Sequence, residues 1–181
     1  MATPSLYRFR IDLSNIDQGI YDRLDFRMVI HPSENHAYLL TRMLAYALNA
    51  QEGLKFSAEG LGDPDAPPIS LEDPRGGLSL WIDIGNPSAR RMHKATKAAR
   101  RVMIYTYKNP EILIAEIQGG NIFQGEKIEV FSLPEEFLTE LEANLERDNT
   151  WSVLLSDGAL TVGAGSETIT GELGRHDLSR R

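Results

Sequence analysis

Cysteine is absent from the 181 residues, so neither a disulfide framework nor a thiolate nucleophile or metal ligand is available. Stability must come from burial and hydrogen bonding. Missing too is any uninterrupted apolar run of about 18 residues, and the opening MATPSLYRFR lacks an apolar signal-peptide core. The expectation is a soluble, cytoplasmic protein with no membrane association. Positive charge is scarce: 19 Lys and Arg stand against 26 Asp and Glu, a net charge of -7. That balance excludes wholesale coating of nucleic acid, whose phosphates are held in proportion to the cations presented, and leaves room only for a local basic patch. The histidines, His31, His36, His93 and His176, lack zinc-site spacing, and there is no HExxH. No Gly-rich phosphate loop opens a helix and no GxSxG elbow occurs, so those routes to nucleotide binding and serine hydrolysis lack support.

What is present suffices for one well-filled core, and residues 1–181 are expected to form a single domain. Tyr7, Phe9, Ile11 and Leu13 alternate with polar residues, as do Leu24, Phe26, Met28 and Ile30, which predicts an antiparallel hairpin. The period then changes. Leu39, Leu40, Met43, Leu44, Ala47 and Leu48 fall on one helical stripe, opened by Pro32 and Ser33 and closed by Gly53, with Glu34 in the first turn where the helix dipole favours an acid. Leu54, Phe56 and Ala58 predict a third strand. A loop rich in Pro, Gly and Asp follows and leads to a short strand near ISLE. Further on, Asn109 and Pro110 open a short helix whose Ile112, Leu113 and Ile117 face the core, and KIEVFSL reads as a strand. Ser132 and Glu135 fit a capping box before a helix striped with Phe137, Leu138, Leu141 and Leu145. The Asp157-Gly158 turn predicts a closing hairpin, and the tail from Gly171 to Arg181 is expected to be loose.

The chemistry concentrates between Gly77 and Tyr107. LSLWIDIG reads as a strand buried on both faces, and Asp83 interrupts it close to its carboxyl end. A carboxylate there must be paired, hydrated or bound to metal. Asn86 and Pro87 supply a cap and first turn for a basic helix over 88–101. On it Arg90, Lys94, Lys97 and Arg101 recur at steps of four, three and four as one cationic ridge, extended by Arg91, and no acid intervenes between Asp83 and Glu111. A polyanionic partner or a buried acidic cluster follows from that pattern. Carboxylates at Glu34, Asp65 and Asp83 with a lysine at Lys94 form the set that magnesium-dependent phosphodiester hydrolysis uses.

HPSEN before a helix, WIDIGNP leading into RRMHKA, and a strand ending in YTY together resemble the YaeQ family over nearly the whole chain. That resemblance implies an α/β fold: a mixed β-sheet flanked by helices, with a PD-(D/E)XK nuclease-like core and added N-terminal and C-terminal β-hairpins. It places Glu34 on the first core helix, an acid in the proline-rich loop, Asp65, and Asp83 at the (D/E) position. The superfamily's lysine falls where this chain has Gly85, which moves the cation to Lys94 or removes the activity. Where relatives read DEPD the chain reads DAPP at 65–68, and Ser79 stands where relatives often have a carboxylate.

Three functions are compatible with these residues. In the first, Asp65 and Asp83 hold Mg or Mn, Glu34 orients a water and Lys94 stabilises the attacking group of a phosphodiesterase. In the second, Arg90, Arg91, Lys94, Lys97 and Arg101 hold nucleic acid or an acidic protein without catalysis. In the third, the acids and the ridge neutralise one another. The sequence names no protein partner and no oligomeric state.

Overall fold

The computed structural model describes residues 5–57 and 65–178. In chain order the elements are β1 (Ser5–Asn15), β2 (Ile20–Ile30), α1 (His36–Leu48), β3 (Lys55–Phe56), β4 (Ile69–Glu72), β5 (Leu78–Ile84), α2 (Ala89–Ala98) and β6 (Ala99–Thr106). They continue with α3 (Pro110–Gly119), β7 (Glu129–Ser132), α4 (Glu135–Ala143), β8 (Asp148–Ser156), β9 (Ala159–Ala164), β10 (Glu167–Glu172) and β11 (Gly174–His176). The fold is mixed α and β, with two mixed sheets. The chain divides into two compact units, Met1–Ala50 with Leu133–Gly174, and Gln51–Ser132 with Arg175–Arg181. Among the described residues no helix is long and apolar enough to cross a membrane.

The first unit carries a five-stranded sheet in the order β10-β9-β8-β1-β2. The expected hairpin of β1 and β2 forms in full antiparallel register, and β1 continues the sheet by pairing parallel with β8. Alternation along β1 buries Phe9, Ile11 and Leu13, each worth roughly 1.5–3 kcal/mol of apolar transfer. Phe9 stacks on Phe26 at 5.8 Å and meets Trp151 edge-on at 5.6 Å. Helix α1 buries the stripe from Leu39 to Leu48 and packs against α4. Its cap differs from expectation: Asn35 Oδ1 accepts from Tyr38 N at 2.8 Å, whereas Ser33 bonds His31. Glu34 therefore precedes the helix, outside the first turn. The helix also ends at Leu48, and Gly53, at φ +87°, serves a later turn.

In the second unit the order is β11-β7-β6-β5-β4-β3, with β5, β6 and β7 parallel and joined through α2 and α3. Trp81, Met92, Ala95, Val102, Ile104, Leu113 and Val130 share one core cluster, so the two helices and the parallel strands bury a common apolar layer. Several expectations are corrected here. The basic helix stops at Ala98 because the chain from Ala99 pairs in parallel with β5, where ladder bonds and the burial of Val102 and Ile104 outweigh the helix propensity of the AARR stretch. Ile112 is 62% exposed, since only Leu113 and Ile117 of α3 point inward. Strand β3 has just two residues, and Ala58 lies outside the described residues.

The C-terminal elements also depart from the sequence reading. The capping box does not form: Pro134 stands at the N-cap of α4 with no side-chain bond, while Ser132 Oγ pairs with His176 Nε2 at 2.8 Å. Leu145 lies beyond α4 and is only half-buried. The described part of the tail contributes to β10, forms β11 and buries Leu178; Arg180 and Arg181 lie outside the described residues.

Close packing at the edge of the first sheet yields a test. A Cβ on Gly171 in β10 would stand 2.6 Å from Cγ and Cδ2 of Phe137 on α4. Gly171→Ala should destabilise by about 1–3 kcal/mol in urea unfolding, the usual cost of overpacking; unchanged stability would show that α4 yields freely.

Candidate functional site

The β5–α2 junction begins from a conflict. Asp83 lies on a strand buried from Leu80 to Ile84 and its side chain is 4% exposed, so an unpaired charge there would be costly. The conflict is resolved by Arg91, whose Nε donates to Asp83 Oδ2 at 2.7 Å. Trp81 Nε1 donates to the same oxygen at 3.4 Å, and Oδ1 accepts from the Ile84 amide at 3.3 Å. Both carboxylate oxygens thus have donors. The Arg91 guanidinium also lies over the Trp81 ring, 5.7 Å from its centroid, and its Nη2 donates to the Ala66 carbonyl at 2.8 Å. One arginine ties the strand, the helix and the loop at 65–68 together.

Local sequence explains the geometry. Gly85 adopts φ +87°, a conformation that side-chain-bearing residues avoid, and its N–H bonds the Tyr105 carbonyl at 2.8 Å. A residue with a side chain would be strained at this position. Ser88, not Asn86, caps α2 by accepting from Arg91 N at 3.2 Å. Asn86 instead accepts from Thr106 Oγ1 at 2.6 Å at the end of the adjacent strand. Arg91 then falls in the first turn, where the helix dipole disfavours a cation. Arg90 shares that first turn, so placement alone does not single out Arg91; the face of the helix that turns toward β5 does.

Other acids of the second unit are also paired with cations. Lys94 Nζ meets Asp65 Oδ1 at 2.9 Å in an exposed pair, and the Lys94 hydrogen bond holds the Asp65 carboxyl below its ordinary range. Asp73 is buried; the Arg75 amide, ahead of the Arg75 and Arg100 side chains, holds its carboxyl low. Arg101, on β6 rather than on the helix, forks onto both oxygens of Glu129. His93 Nδ1 accepts from Phe123 N, away from the ridge. Among the described residues Arg90 and Lys97 alone of α2's lysines and arginines form no ion pair, and both are exposed.

The structure therefore brings Asp65, Asp83, Lys94 and Arg91 together in the second unit. Glu34 belongs to the first unit and has its own partner: Arg42 Nη2 at 3.4 Å, with the Glu34 side chain 1% exposed. Its other oxygen, Oε1, is buried with no hydrogen bond. Burial accordingly raises the Glu34 pKa, against the opposing pull of Arg42. As to metal, no three acidic or histidine side chains converge among the described residues. Among the described residues the donor set around Asp83 is two carboxylates, Asp65 and Asp83, each already matched by a cation. That set does not fit a hard divalent ion, which seeks about six oxygens.

Two expectations follow. Arg91→Leu should cost about 3 kcal/mol or more in denaturant unfolding, because it strands Asp83 without a counter-charge, and adding Asp83→Leu should recover most of the loss. A single variant as stable as the parent would contradict the pairing. For Glu34, a folded pKa above the unfolded one means that its stabilising effect is complete below the ordinary glutamate range and fades as pH rises through the folded value. Stability of the parent relative to Glu34→Gln should therefore fall from acid to neutral pH; a constant difference between the two unfolding curves would refute it.

A sequence model described as YaeQ protein matches residues 1–173. The protein named "Uncharacterized protein YaeQ" of Escherichia coli strain K12 is 28% identical over 157 residues, covering 86% of each chain, and its Salmonella typhi counterpart is 27% identical over the same length. Among solved structures, the YaeQ protein of Xanthomonas axonopodis pv. citri superposes with a TM-score of 0.88 at 26% identity, over 97% of this chain and 99% of the other. The Pseudomonas syringae YaeQ protein gives a TM-score of 0.84 at 24% identity over 95% of each. On the strength of the match to residues 1–173, this chain belongs to the YaeQ family.

Proposed function

We propose that this protein is a non-catalytic nucleic-acid-binding module that engages the phosphate backbone through α2. One observation carries the reading: Arg91 turns inward to neutralise Asp83, and this orientation leaves Arg90 and Lys97 exposed and without ion pairs among the described residues. Seven residues separate them, about 10 Å along the helix, which matches about three nucleotides of a duplex strand. Lys94 stands between them. Its pair with Asp65 is exposed on both sides, so exchanging that carboxylate for a phosphate costs little.

The element order α1, β3, β4, β5, α2, β6 supports the further inference that the core is PD-(D/E)XK nuclease-like. In this chain such a core holds a phosphate backbone and does not cut it, because Arg91 takes the Asp83 carboxylate that hydrolysis would assign to a metal.

Gel retention of duplex DNA over a series of salt concentrations tests the reading. Three phosphate contacts give a log–log slope of about -3, and Arg90→Ala with Lys97→Ala should bring it to about -1 while leaving the fold intact by circular dichroism. Absence of retention at the lowest salt, or an unchanged slope in the double variant, would overturn it.

A further inference from the structure

Strand β2 stands at one edge of the five-stranded sheet, bonded to β1 on one side and to no second strand among the described residues. Two side-chain contacts reveal which of its backbone groups face outward. The Arg23 N–H donates to Asp22 Oδ1 at 2.8 Å, and the Val29 carbonyl accepts from Arg42 Nη2 at 2.8 Å. In an antiparallel pair both polar groups of alternate residues point to the same side. The odd-numbered residues of β2 therefore present their N–H and C=O groups to the open edge.

That edge lacks the usual protection. It is 11 residues long, contains no proline and pairs with β1 without a bulge. Charge is the remaining deterrent, and here it alternates in sign along the exposed face as Arg23, Asp25 and Arg27. Arg23 and Arg27 form no ion pair among the described residues, whereas Asp25 is held in place by Arg8 at 2.9 and 2.7 Å. A carboxylate with two oxygens can accept from a second guanidinium. Alternating charge on an open edge makes association depend on register.

We propose that β2 is a homodimerisation edge, where two copies pair antiparallel about a two-fold axis at Leu24 and join their five-stranded sheets into one. Ladder bonds require odd residues to face odd residues, so the two-fold registers are few. Centred on Leu24, Arg23 faces the partner's Asp25 and Asp25 faces the partner's Arg23, while Tyr21, 65% exposed, faces the partner's Arg27. Centring on Asp25 would oppose the two Asp25 carboxylates and set Arg23 against the partner's Arg27. Centring on Arg23 would oppose the two Arg23 guanidinium groups. A centre at Phe26 would require the Val29 carbonyl, which the buried Arg42 already occupies, whereas the Arg23 N–H that the Leu24 register needs is held only by the exposed carboxylate of its neighbour Asp22, which solvent or the partner's carbonyl can replace. Charge and backbone availability select one register.

Sedimentation velocity of the full chain over a concentration series tests this. The parent should show a reversible dimer that weakens with salt. Arg23→Asp alone and Asp25→Arg alone each place like charges across the axis and should weaken it at least about tenfold. An equimolar mixture of the two variants should recover the dimer, because each new acid then faces a new base; circular dichroism confirms that both are folded. A parent that stays monomeric throughout, a dimer indifferent to Arg23→Asp, or a mixture that stays monomeric would overturn the proposal.

Discussion

The ion pair between Asp83 and Arg91 is the constraint on which the second unit depends. A carboxylate in a strand buried on both faces demands a counter-charge, and the sharp exit at Gly85 lets the next helix supply it within its first turn. Once Arg91 is turned inward, helical spacing fixes the rest of α2. Met92, Ala95 and Thr96 enter the core, and Arg90, Lys94 and Lys97 face outward. The same arginine bonds the Ala66 carbonyl and so anchors the loop that carries Asp65. Structure and surface chemistry thus descend from one buried charge.

The first unit meets the same problem with a different balance. Glu34 is also a buried acid just ahead of a helix, and it too is answered by an arginine, Arg42. Asp83 has donors on both oxygens, the nearest being Arg91 at 2.7 Å, while Glu34 meets Arg42 at 3.4 Å and leaves Oε1 without a hydrogen bond. Desolvation therefore outweighs attraction at Glu34 and pushes its pKa upward.

Much of the architecture was legible in the sequence because it follows from side-chain period. The alternation in β1 and β2, the α1 stripe and the Asp157-Gly158 turn all form as read, with φ of 50° and 77° at the turn. The misreadings share a physical cause: local patterns yielded to long-range pairing. AARR was legible as helix, yet from Ala99 onward it became the start of β6 when β5 offered it a parallel ladder. Ser132 was legible as a cap and was drawn instead to His176, 44 residues away. In the site, the position of Asp83 could be read from the break in an apolar run. Its partner could not be read by counting cations along a ridge, since Arg91 and Arg90 look alike in sequence and differ only in which way the helix faces.

The functional reading turns on whether Asp83 is a structural counter-ion or a metal ligand held in reserve. Titration calorimetry with manganese, run on the parent and on Asp83→Asn, separates these most directly. Absence of heat from the parent is the expected result, because Arg91 already satisfies the carboxylate and the donor set is too poor for a hard cation. Heat of binding in the parent that Asp83→Asn abolishes would contradict it and restore a metal-dependent hydrolase.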